Sequence, residues 1–234
     1  MRRFANMWER IRVIKNWWNF VFPFNRFGPA KRVAYLRSGA KICIRDPFSS
    51  DFSGILDIAA RDVYQLARIH EAKKIVDVGA NIGVFTVLAA RRFPNAKVYA
   101  IEPEVENFAL LQENIRLNNL SNVTLLQKAV AKEKGTARLY LGAPDSHSLY
   151  GSGVYEEVET VLLSDFGDID VLKIDAEGVE RDILPYPAKH IAVEVHGENP
   201  EEFVKRLGMS YYEPHAHVYI LSPKNLQHAT STAL

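Results

Sequence analysis

The chain predicts an α/β fold: a mostly parallel sheet covered by helices on both faces and closed by an antiparallel hairpin. Three observations carry this. Short apolar runs that read as fully buried strands recur at Lys74 to Val78, Lys97 to Ile101, Val123 to Gln127, Val171 to Ile174 and Ile191 to Val195. Helical patterns separate the first three runs, at Gly83 to Arg92 and at Glu104 to Asn118, with Phe108, Leu111, Ile115 and Leu117 facing inward. Near the end of the chain, Met209 to Glu213 and His217 to Leu221 flank a tight Pro214-His215-Ala216 connection, which favours antiparallel pairing.

The segment before this alternation has a different character. Phe4, Met7, Trp8, Ile11, Ile14 and Trp18 recur at helical spacing, predicting one amphipathic helix from Phe4 to about Trp18. Phe22 to Pro29 reads as an irregular linker, and Arg32 to Arg37 with Lys41 to Arg45 as a hairpin turning at Ser38-Gly39-Ala40. A helix is expected over Gly54 to His70, with Ile55, Ile58, Val63, Leu66 and Ile69 in its buried stripe. The expected division is therefore 1–70, an N-terminal helix, hairpin and helix packed on the core, and 71–234, the α/β domain.

With 234 residues, 47% of them apolar, the chain can bury one substantial core. Its single cysteine, Cys43, forms no internal disulfide, and no apolar run approaches the ~20 residues needed to span a bilayer. A cytoplasmic location is the expectation. The net charge of +1 hides an asymmetry, because residues 1–45 carry eleven Lys or Arg against one acid, Glu9, leaving −9 on the remainder. A basic, tryptophan-bearing segment of this kind lies on an anionic membrane surface, packs on its own domain, or pairs two subunits through residues 1–28. A long polar loop, Gly142 to Gly153, separates strand-like Thr136 to Leu141 from Val154 to Val161 and is the candidate lid, with His147, Tyr150 and Tyr155 near the acceptor.

The chemistry begins at Asp77-Val78-Gly79-Ala80-Asn81-Ile82-Gly83. A dinucleotide fingerprint would read G-x-G-x-x-G, whereas three residues separate Gly79 from Gly83 and an acid stands inside the preceding strand. No pyrophosphate cradle is encoded. The spacing instead matches motif I of class I S-adenosylmethionine-dependent methyltransferases. In that reading Gly79 allows close backbone approach, Asp77 fixes the turn or the ligand ammonium, and Glu102 at the tip of the next strand accepts both ribose hydroxyls.

Asn114-Ile115-Arg116-Leu117-Asn118, Gln127-Lys128-Ala129-Val130 and Lys173-Ile174-Asp175-Ala176-Glu177-Gly178-Val179-Glu180 complete a set. From about Arg37 to Val195 the chain resembles the FkbM family of methyltransferases. The resemblance implies a Rossmann-like seven-stranded class I methyltransferase sheet that binds S-adenosyl-L-methionine across the strand tips. The implied cofactor residues are Asp77, Gly79, Ala80, Asn81, Gly83, Glu102, Lys128, Ala129 and Asp175, with Lys128 and Ala129 bordering the adenine and Asp175 facing the transfer centre.

A hydroxyl acceptor needs help in losing its proton, and the strand tips offer Asp175, Glu177, Glu194 and His196. Asp175, Glu194 and His196 are the catalytic candidates, with His196 as a direct base. No metal is required by that reading; the alternative is that Asp175, Glu194 and His196 bind a divalent ion. The Asp175-Ala176-Glu177-Gly178 tip lacks the Pro-Pro-aromatic pattern of nitrogen methyltransferases, which favours O-methylation of a small molecule, sugar or glycan. A noncatalytic cofactor- or partner-binding module and a nucleic-acid methyltransferase are the alternatives.

Overall fold

The computed structural model describes residues 11–20, 32–45, 50–141, 148–196, 199–215 and 217–222. Its elements begin with a hairpin of β1 (Arg32–Tyr35) and β2 (Lys41–Ile44), then helix α1 (Ser50–Ile55). The βα core follows: β3 (Lys74–Val78), α2 (Val84–Arg92), β4 (Lys97–Ile101), α3 (Val105–Leu117) and β5 (Val123–Leu126). A small sheet is formed by β6 (Ala129–Val130), β7 (Gly135–Tyr140) and β8 (Tyr155–Val161). Last come β9 (Ile169–Ile174), α4 (Glu180–Ile183), β10 (Ala188–Glu194), α5 (Pro200–Arg206), β11 (Ser210–His215) and β12 (Val218–Ser222).

Seven strands form the main sheet in the order β11-β12-β10-β9-β3-β4-β5. The β10-β9-β3-β4-β5 pairs are parallel, and β12 runs antiparallel to both β10 and β11. Alternate side chains divide between two cores. Ile75, Val98, Val171, Ala192 and Ile220 meet Phe85 and Ala89 of α2 on one face. Val76, Leu172, Ile191, Val193 and Leu221 meet Val179, Phe203 and Val204 on the other. Burial on both faces explains why these strands read as continuous apolar runs. The chain leaves β3 in one direction toward β4 and β5 and returns on its other side as β9 and β10, so the switch point lies between β3 and β9.

The hairpin is fastened by two asparagines one helical turn apart, Asn114 in α3 and Asn118 at its C-cap. Asn114 accepts from the Cys43 amide (2.6 Å) and donates to the carbonyls of Cys43 (3.1 Å) and Ile82 (2.7 Å). Asn118 accepts from Lys41 N (2.9 Å) and donates to Lys41 O (2.6 Å). Their amides replace a neighbouring strand along β2, which leaves those buried backbone groups satisfied.

Two predicted helices are corrected. The Phe4 to Trp18 helix lies outside the described residues as far as position 10, and beyond them it stops early. Ile14 bridges to Leu36, Lys15 N donates to Tyr35 O (2.7 Å), and Trp17–Phe20 form a separate 3₁₀ turn. Fully buried Ile14 and nearly buried Phe20 join the core with Ile42, Phe52 and Leu111, while Trp18 is exposed. The edge of the hairpin thus competes successfully for the backbone of this segment.

The Gly54 to His70 helix is likewise broken. After α1 the chain widens into a π-helical turn, Leu56–Ala60, and resumes only as a 3₁₀ turn, Leu66–Arg68. Asp62 is the cause: its carboxylate accepts from Leu66 N (2.8 Å) and Ala67 N (3.0 Å), an alternative to helical bonding that aspartate offers readily. Asp62 and Gln65 both take positive φ, and the break turns Tyr64 into the core.

Candidate functional site

Two pockets open at the carboxyl ends of β3, β4, β9 and β10, sharing a wall of Asn81, Asp175 and Glu177. The first is an open crevice between β3 and β4 and the small sheet. Its floor is Val78 and Gly79, and Ala129, Val130, Leu139 and Leu149 form an apolar wall. Gly79 has φ +71°, and a Cβ there would lie 1.8 Å from the Asp175 carbonyl, so only glycine lets the two strand tips meet.

Glu102 is the polar anchor of this crevice. It is nearly buried and accepts from Asn81 N (2.8 Å) through one oxygen and from Glu104 N (3.1 Å) through the other. Burial pushes its pKa up to about 7, against the pull of those amide donors. Each carboxylate oxygen keeps acceptor capacity for a ligand hydroxyl. Lys128, the cation lining this crevice, pairs with Glu159 at 2.8 Å.

Beneath both pockets lies Lys173, which is 3% exposed. Its ammonium donates to Gly79 O (2.6 Å) and stands 3.2 Å from Asp77 and 3.6 Å from Asp175. Burial lowers the ammonium pKa, but Asp77 and Asp175 outweigh it and leave the pKa raised. Asp77 also accepts from Thr86 Oγ1 (2.5 Å). These bonds tie strands β3 and β9 and helix α2 together under the glycine turn.

The second pocket is wider and is lined by Ser50, Ser53, Asp57, Tyr64, Phe85, Glu194, His196 and His215 among others. At its inner end, Tyr64 OH donates to Asp175 Oδ2 (3.0 Å) and reaches Glu194 Oε2 (3.3 Å). His196 Nε2 lies 3.9, 3.5 and 3.8 Å from Asp175, Glu177 and Glu194. Burial, then the nearby Asp175 charge, pushes the Glu194 pKa up to about 7. Glu180, fully buried, accepts from Gly178 N and from His196 N, both at 2.8 Å, and so locks the β9 tip to the β10 tip.

Of the predicted site residues, Gly79, Asn81, Glu102, Lys128, Ala129 and Asp175 line the first crevice, while Glu194 and His196 line the second pocket beside Asp175. Three placements correct the sequence reading. Asp77 is fully enclosed beneath the floor because Lys173 and Thr86 claim its carboxylate. Gly83 faces Leu111, whose Cδ1 a Cβ would meet at 2.4 Å, so its role is helix packing. Ala80 turns into the second pocket instead of the first.

Tyr64, Lys173, Glu180 and His215 were not singled out for the site by sequence. The short spacing of Lys173 and Glu180 from Asp175 was the available signal for those two; nothing local marks Tyr64. His147 and most of the candidate lid, 142–147, lie outside the described residues. Beside them, Ser148 Oγ donates to Glu177 O (2.6 Å), and Tyr150 packs where a Cβ on Gly178 would fall.

A parallel sheet with an antiparallel strand pair at one edge, a glycine turn at the switch point and an acid at the next strand tip form the Rossmann-like fold of class I methyltransferases. The family model of the FkbM methyltransferase domain matches residues 77–221, and the chain belongs to that family. Its cofactor is S-adenosylmethionine.

Methyltransferase 1 of Beauveria bassiana is 29% identical over 151 residues, covering 52% of this chain and 61% of that protein. Methyltransferase sdnD of Sordaria araneosa is 30% identical over 162 residues, covering 52% and 62%. The matched region thus spans about three-fifths of the length of these relatives. Among solved structures, a precorrin-6y C5,15-methyltransferase from Geobacter metallireducens aligns with a TM-score of 0.46 at 17% identity, covering 69% of this chain and 85% of the other.

Proposed function

We propose that the protein transfers a methyl group from S-adenosylmethionine, held in the first crevice, to a hydroxyl of a small molecule or sugar held in the second pocket. The observation that carries this is the shared wall: Asp175 and Glu177 border both spaces, and the proton-accepting cluster stands on the acceptor side.

The residues present fit this cofactor. Val78 and Gly79 supply a backbone floor, the apolar wall from Ala129 to Leu149 suits a flat purine, and Glu102 offers oxygens to a ribose diol. When bound, S-adenosylmethionine supplies an electrophilic methyl whose C–S bond breaks as the acceptor oxygen takes the carbon. Asn81 and Asp175 orient the two reactants across the wall, and the surrounding apolar side chains exclude water. Asp175, Glu177, Glu194 and His196 take up the hydroxyl proton, with Glu194 tuned by burial toward neutrality. Tyr64 and Glu180 hold these groups in place.

Calorimetry with S-adenosylhomocysteine and with a nicotinamide dinucleotide tests the crevice: binding of the first alone is expected, and binding of the second alone rejects the reading. Transfer of a labelled methyl to a panel of sugar and phenolic hydroxyls, with amines alongside, tests the acceptor chemistry. Label found solely on amines would replace oxygen by nitrogen.

A further inference from the structure

We propose that the tips of β9 and β10 form a divalent-cation site, ligated by Asp175, Glu194 and His196, whose cation takes the acceptor oxygen as a further ligand. The proposal rests on the oxygen-acceptor reading above and specifies how that oxygen is held.

The geometry comes first. One ligand atom from each of the three residues lies within 4.8 Å of the other two, on strand ends that are paired in register. Tyr64 then sorts the carboxylate oxygens. Its hydroxyl engages Oδ2 of Asp175 and Oε2 of Glu194, leaving Oδ1 and Oε1 on the side of His196 Nε2. Those oxygens stand 3.9 and 3.8 Å from the imidazole nitrogen, too far for hydrogen bonds. Ligands bonded to a common cation at 2.1–2.4 Å are separated by roughly 3.0–3.5 Å, so a small inward movement completes the set.

Charge points the same way. Lys173 is matched by fully buried Asp77 and donates to Gly79 O, while Asp51 and Asp57 are paired with Arg45 and Arg61. Asp175 and Glu194 thus bring two carboxylates to one imidazole beside a Lys173 ammonium that is shared with Asp77.

The support around the ligands is of the kind metal sites use. Buried Tyr64 donates to Asp175 and reaches Glu194, and so orients both carboxylates. Glu180 fixes the backbone on either side through Gly178 N and His196 N. Two carboxylates and one imidazole suit a hard or borderline ion such as Mg²⁺ or Mn²⁺. Such an ion lowers the pKa of a hydroxyl it contacts; the O–H bond breaks, its proton passes to the Glu177 carboxylate, and the electron pair stays on the oxygen that attacks the methyl.

The test is a titration of metal-stripped full-length protein with Mn²⁺, with bound ion read by electron paramagnetic resonance and no donor or acceptor added. One Mn²⁺ per chain is expected. Glu194→Gln and His196→Ala should each weaken binding about tenfold or more, and Tyr64→Phe several-fold. Absence of binding up to about 1 mM Mn²⁺ overturns the proposal. So does unchanged affinity in both Glu194→Gln and His196→Ala, or in His196→Ala alone should Glu194→Gln not fold. S-adenosylhomocysteine calorimetry on the metal-stripped protein separates the two readings, since failure there with Mn²⁺ binding intact rejects the cofactor crevice alone.

Discussion

The two pockets share a wall but are built in opposite ways. The cofactor crevice is assembled from residues that immediately follow strands: Val78 to Asn81, Ile101 to Pro103 and Lys128 to Val130. Much of its shape is backbone, and its anchor, Glu102, is held by amides from its own strand tip and the neighbouring turn. The second pocket is made of side chains drawn from distant segments, with Tyr64 reaching Asp175 and Glu194 across 111 and 130 positions. A backbone site needs a turn of the right type, whereas a side-chain site needs the whole sheet assembled before its geometry exists.

That contrast can be broken at the residue beneath both pockets. Lys173→Met leaves Asp77 buried without its cation and should cost about 3–5 kcal/mol, measured by denaturant unfolding. Cofactor binding and turnover should fall together. If the double variant with Asp77→Asn does not recover stability, the pairing is not what Lys173 contributes.

Away from that shared support the pockets should separate cleanly. His196→Ala should slow methyl transfer by about a hundredfold or more while leaving the dissociation constant for S-adenosylhomocysteine unchanged. Single-turnover rates against calorimetry check this, and a matching loss of cofactor affinity would mean that the pockets are not independent.

Glu102→Ala should do the reverse, weakening the cofactor by about 2 kcal/mol, or roughly thirtyfold, through lost hydroxyl bonds to a charged acceptor. Unaltered affinity would remove Glu102 from the site.

The smallest effect is the pH dependence of that same contact. Glu102 titrates near 7 and accepts from hydroxyls best when ionised, so cofactor affinity should fall about tenfold between pH 8 and pH 6. Glu102→Gln should flatten this profile. The stability linkage of the cofactor-free protein has the opposite sign. A carboxylate raised from 4.5 to about 7 by burial contributes stability that is full below pH 4.5 and lost as pH rises through 7.

Local periodicity made the βα units legible, and Asp77, the glycine turn and Glu102 lie close enough in sequence to be read as a unit. Their roles were not equally legible. Gly83 looks like part of a ligand loop but faces Leu111, and Asp77 looks like a ligand group but lies under Lys173. Sequence spacing does not say which face of a turn a residue presents. Helix α5 could have been found: Asn199 accepts from Glu202 N, Pro200 opens the first turn and two acids follow. The break at Asp62 was less visible, because a stripe of apolar residues continues through it and the competing hydrogen bonds come from one carboxylate.

The sequence by itself determined the class of fold, the family and the glycine turn beside the first crevice, since buried parallel strands and such a turn leave marks over a few contiguous residues. Only the tertiary structure decided the second pocket. Tyr64, Asp175, Glu194 and His196 meet because an irregular helix and two strand tips converge. That convergence follows from sheet order and packing, which no local spacing records.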